Sequence, residues 1–112
     1  MDFVRFYTDD DGTSRAERID PIHAAEWSKG FASSGCSVRA MAPGTLMDWH
    51  PAPRRQIVVH LSGLLEIVLR DGTVVPFGPG SARLMDDLTG TGHLTRVVGD
   101  QPVEQMVIAL TD

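Results

Sequence analysis

Glycine and proline recur along this chain at intervals too short for long helices, and the segments between them are rich in strand-forming residues. Eleven glycines and seven prolines are spread over the whole length, and apolar residues at helical spacing are nearly absent. Phe3 to Thr8 reads as a strand, Asp9-Asp10-Asp11-Gly12 as a turn, and Ser14 to Ile19 as the returning half of a hairpin. One short helix is predicted, about two turns long, with Asp20 as N-cap, Pro21 at the first position and Gly30 as its stop. Further strands are predicted at Cys36 to Met41, Thr45 to Trp49, Arg55 to Leu61, Leu64 to Arg70, Thr73 to Phe77, Ser81 to Met85, His93 to Val98 and Val103 to Leu110. Their connections include Pro43-Gly44, Ser62-Gly63, Asp71-Gly72 and Gly78-Pro79-Gly80, with the polar stretch Asp86 to Gly92 as the longest loop. Short strands at close spacing predict an all-β fold, a sandwich or closed barrel of antiparallel strands.

At 112 residues the chain has length for one small domain, which can bury a core without metals or disulfides. A composition of 42% hydrophobic and 22% charged residues argues against disorder. Fifteen acidic against ten basic residues give a formal net charge of -5, which disfavours nucleic acid and anionic membrane surfaces as partners. No apolar run approaches membrane-spanning length, and Met1 to Arg5 lacks the pattern of a secretory leader, so a cytoplasmic protein is expected. The single cysteine, Cys36, has no partner for an internal disulfide and reads as a small buried apolar side chain.

One spacing is more specific. The chain runs Gly44, five residues, His50, one residue, Ala52, three residues, Gln56, six residues, Gly63. This resembles the first motif of the cupins, which carries glycines at the same spacing, two histidines two apart, and a glutamate. Gly44, His50 and Gly63 match by type; Ala52 and Gln56 match by position only. Pro79-Gly80 and His93 resemble parts of the second cupin motif, although Asp86 stands in its proline slot, Val97 stands where asparagine is common, and the histidine comes two residues late. Asp48 to Gln56, Phe77 to Gly80 and Thr89 to His93 are also similar to a group of small single-domain bacterial cupins of unassigned function. The resemblance implies a jelly-roll barrel core over residues 35–112, preceded by the strand ribbon and short helix over 1–34.

It also implies a metal site. His50, Gln56 and His93 would hold one divalent ion, zinc, nickel or iron, although Ala52 cannot ligate and Gln56 brings no charge. Each residue has a plainer reading: His50 as a loop cap, Gln56 as a hydrogen-bonded core residue. His60 shares strand parity with Gln56 but lies about 13 Å further along, which makes it a deeper pocket residue or a satisfied core histidine. His23 is expected at the surface. Arg54 either holds a carboxylate or enolate at the pocket mouth or pairs with Asp48 or Asp86, while Arg55 is expected to point outward. Asp86 and Asp87 can orient a histidine or simply favour the turn. Trp49, Met41, Met47, Phe77 and Met85 line a cavity for a small organic ligand or form the core. Two functions follow: a metal-dependent enzyme of isomerase, cyclase, lyase or dioxygenase type acting on a small, anionic metabolite, or a metal-free, non-catalytic metabolite-binding module. A homodimer is expected, with the Phe3 to Thr8 strand added to a partner's sheet.

Overall fold

A computed structural model describes residues 2–111. In chain order the described elements are β1 (Phe3–Thr8), β2 (Ser14–Ile19), α1 (Ala25–Lys29), β3 (Ser33–Met41), β4 (Leu46–His50), β5 (Gln56–Ser62), β6 (Leu64–Val68), β7 (Val74–Phe77), β8 (Ala82–Asp86), β9 (His93–Val98) and β10 (Val103–Leu110). The fold is all-β, as expected. Six strands form one sheet in the order β2-β1-β8-β5-β10-β3, and four form the other in the order β4-β9-β6-β7. All pairings are antiparallel except β1 with β8, which run parallel.

Alternation along each strand builds the core. Val4 and Phe6 on β1, Val58 on β5, Leu65 and Ile67 on β6 and Met85 on β8 share one buried cluster between the sheets. The Ser62-Gly63 connection is a corner that carries the chain from the six-stranded sheet to the four-stranded one. Gly63 has a φ of 79°, and a side chain there would meet the backbone of Pro102 and Val103, so glycine is required. The outer face of the six-stranded sheet is partly covered by α1, whose Trp27, with Phe31 beyond it, packs on Ile57, Leu84 and Leu110.

Three expectations need correction. The helix is five residues long, and its N-cap is Ala24 with no side-chain hydrogen bond. Asp20 instead closes a preceding turn, its carboxylate 2.6 Å from His23 Nδ1. Cys36 is exposed, because β3 is an edge strand on which only Met41 is even half-buried. Finally, β1 cannot add to another sheet, since β2 and β8 occupy both of its edges. No helix among the described residues is long and apolar enough to cross a membrane.

Candidate functional site

Between the two sheets lies a cavity of about 190 Å³, lined by Arg39, Met47, His50, Ala52, Pro53, Gln56, Arg83, Met85, His93 and Thr95. Larger hollows open elsewhere on the surface, such as one of about 380 Å³ beside Gly63 and Gln101, but that one gathers no histidine or arginine. Strand parity explains the lining. Arg83 and Met85 are two apart on β8 and share its inner face, as do His93 and Thr95 on β9.

The two histidines meet because β4 and β9 pair. His50 is the cross-strand partner of His93, and their ring centroids are 5.0 Å apart. Gly92 makes this approach possible: its φ is 71°, and a side chain there would collide with the His50 carbonyl group and Pro51. Both imidazoles are oriented through Nδ1. His93 Nδ1–H donates to Asp87 Oδ2 at 2.6 Å, and Ser14 Oγ donates to the same oxygen at 2.8 Å. His50 Nδ1 lies 2.6 Å from the Asp48 carbonyl, which can only accept, so this nitrogen carries the hydrogen. Nε2 is the nitrogen left to each ring for a ligand. The Asp87 backbone carbonyl also accepts from Ala52 N at 2.8 Å, tying the β4–β5 connection to the loop that carries His93.

The electrostatics are cationic. Arg83 is 3% exposed; its Nε donates to His60 Nε2 at 3.2 Å and its Nη1 to Met85 Sδ at 3.4 Å. Burial pulls the Arg83 guanidinium down to about 9, with Arg39 acting in the same direction and Asp87 opposing. It therefore keeps its charge at neutral pH. Arg39 reaches in from the exposed edge strand β3 and donates through Nε to Gln105 Oε1 at 2.9 Å. Burial, then the charge of Arg54, lowers its pKa. Gln105 faces both neighbours across the sheet, Arg39 on β3 and His60 on β5.

The expected residues sort as follows. His50, Gln56, His93 and Met85 line the one cavity. His60 does not line it; it is 1% exposed, stacks on Phe77 with centroids 4.9 Å apart, and accepts from Arg83. Trp49 is half-buried away from the cavity, with the Arg70 guanidinium 3.9 Å above its ring. Arg54 is exposed; its Nε is 3.5 Å from Gln56 Oε1, and neither Asp48 nor Asp86 pairs with it. Arg55 does not project freely into solvent, since Asp86 accepts from it at 2.6 Å and it pairs also with Glu26. Arg39, Arg83 and Gln105 were not singled out from the sequence. Their parity with Met41, Met85 and Val107 was readable, but charge and amide polarity argued for the outside.

The donor set does not suit a divalent ion. Among the described residues no three His, Cys, Asp or Glu side chains gather closely enough to hold one. The cavity offers two imidazoles and one neutral amide, includes the methyl group of Ala52, which cannot ligate, and adds two guanidinium groups that repel a cation.

No family model and no curated protein matches the sequence. Solved structures do resemble it. A cupin 2 conserved barrel domain protein from Salinispora arenicola CNS-205 superposes with a TM-score of 0.55 at 21% identity, over 68% of this chain and 61% of that one. A cupin superfamily protein from Desulfitobacterium hafniense DCB-2 gives 0.53 at 17% identity, over 69% and 66%. A DMSP lyase from Ruegeria pomeroyi DSS-3 gives 0.55 at 21% identity, over 69% of this chain but 38% of the lyase. The chain thus spans less than two-thirds of each of these proteins, and what it shares with them is the fold.

Proposed function

We propose that this chain, whose fold is the cupin barrel, is a small-molecule-binding protein that seats an organic metabolite in the cavity between its sheets, against His50 and His93. The observation that carries this reading is the paired imidazoles, each fixed through Nδ1 and each lining a cavity of about 190 Å³. That volume lies below the 300–1,000 Å³ typical of drug-sized sites, so the ligand is small. Binding needs no resident metal. A cytoplasmic location and a homodimeric state belong to the same proposal.

The test is a thermal-shift survey against small acids, sugars and aromatic acids, with and without a chelator. A ligand at about ten times its dissociation constant contributes about 1.4 kcal/mol, which raises the melting temperature of a domain this size by roughly 5 °C. The expected result is such a rise for one chemical class, unaffected by chelator and lost in His93→Gln. Stabilisation that disappears with chelator would return the ion to the site.

A further inference from the structure

Nine arginines and one lysine are present, and the arginines divide into two sets. Arg5, Arg15, Arg18, Arg55 and Arg96 each pair with an acid. Arg70 lies over Trp49. The other three, Arg39, Arg54 and Arg83, form no ion pair within the described residues, and all three meet at the cavity: two line it, and the third touches Gln56 of its wall.

Arg83 makes this division meaningful. A guanidinium buried without an acid is strongly destabilising unless something repays its desolvation. Here its protein acceptors are a neutral imidazole and a thioether. Arginine carries five N–H donors, and these two bonds use two of them. A second positive charge, Arg39, faces the same space.

We infer that the ligand is a small organic carboxylate, clamped by Arg83 with Arg39, and that these guanidinium groups supply the positive charge that a bound metal ion would otherwise bring to the pocket. This rests on the proposed function and deepens it. A carboxylate satisfies the fork geometry of a guanidinium with two oxygens and cancels the buried charge. The thioethers of Met47 and Met85 with Ala52 and Pro53 leave an apolar side of the cavity for a carbon skeleton, which inorganic phosphate does not have.

The experiment measures binding of propionate, 2-oxobutyrate and succinate, of propionamide and succinamide, and of phosphate, by calorimetry in the presence of EDTA. The variants are Arg83→Met and Arg39→Gln. At least one acid should bind at least about tenfold tighter than its amide and than phosphate. Arg83→Met should lose about tenfold or more in that affinity while melting no lower than the wild type, because it removes an unpaired buried charge and keeps the volume. Arg39→Gln lies on an exposed strand and tests the clamp even where Arg83→Met fails to fold; it too should weaken the acid by severalfold. Amides or phosphate that bind as tightly as the acids overturn the clamp and leave the proposed function standing. So does acid binding that EDTA abolishes, or that both folded variants retain. Failure of every probe removes the clamp, and failure of the sugars and aromatic acids of the wider survey as well sinks both.

Discussion

His60 sits at 1% exposure against the face of Phe77 and accepts a hydrogen bond from Arg83 Nε, which can only donate. Its second hydrogen therefore has no place, and the environment opposes it further. Burial first, then the charges of Arg83 and Arg39, pushes the imidazole down to about 3 from 6.5. The sign of the resulting pH dependence follows from proton counting. Between about pH 3 and 6.5 the unfolded chain holds a proton on this residue that the folded chain does not, so stability falls as pH drops below 6.5. Lowering the pH from 6.5 to 4.5 should remove about 2.3 kcal/mol, because the unfolded imidazole is half protonated at 6.5 and the slope reaches about 1.36 kcal/mol per unit only below it. Asp9, Asp20 and Asp71 are held below the usual carboxylate value by hydrogen bonds from Arg15, His23 and Thr73 respectively, so their losses fall below about pH 4. His23 is raised by Asp20, so its contribution is fully present below 6.5 and does not vary inside the window. Urea unfolding at pH 4.5, 5.5 and 6.5 checks this: His60→Gln, which keeps an acceptor for Arg83, should flatten the slope. An unchanged slope in that variant removes His60 as its source.

At the scale of elements, the β8–β9 loop completes what the pairing of β4 with β9 begins. The β8–β9 loop brings Asp87 and His93 together, and Gly92 lets it lie directly on the His50 backbone. Gly92→Ala would combine an unfavourable left-handed conformation with a backbone collision, so a loss of at least about 2 kcal/mol is expected. Two-dimensional NMR of the histidine side chains should show both His50 and His93 displaced, with His60 little changed; the reverse pattern would refute the loop's role. The strands were legible in the sequence because glycine and proline turns bound them, from Asp9–Gly12 through Asp71–Gly72. The helix was read too long because Asp20-Pro21 is a capping signal that also suits a turn, and the Asp20–His23 contact settles that choice locally. Arg83 was illegible for another reason. It occupies an inward position that alternation assigns to an apolar residue, and burial statistics argue against a charge there. Asp87 was foreseen as a histidine partner by its chemistry and its place just before the Gly-rich loop, yet sequence gave no way to choose between it and Asp86, which pairs with Arg5 and Arg55.

Among the described residues the two sheets have four edges, and three are guarded. β2 carries Arg15, Glu17 and Arg18; β7 is four residues long and contains Pro76; β4 has a register shift and bears Asp48. β3 is the exception, nine residues long with Arg39 as its one charge. Its outward face continues an apolar strip across the sheet: Val38 is 64% exposed, Leu61 45%, and Met106 and Ile108 between them are half-buried. Helix α1 covers Ile57, Leu84 and Leu110, and Ile108 packs against that cluster, but Val38, Leu61 and Met106 lie outside it. The proposed homodimer accordingly forms on β3, not on β1, with a second copy covering both the open edge and the strip. Light scattering at tens of micromolar should give twice the chain mass, and Val38→Lys, a charge on that edge, should give a monomer that still binds ligand. A wild-type monomer removes the dimer. A Val38→Lys dimer removes β3 as its interface. Since Arg39 is on the same strand as Val38 and lines the cavity, dimerisation on β3 would also hold one arm of the ligand clamp in place, so the monomeric variant should bind the carboxylate more weakly, by severalfold, through Arg39 alone.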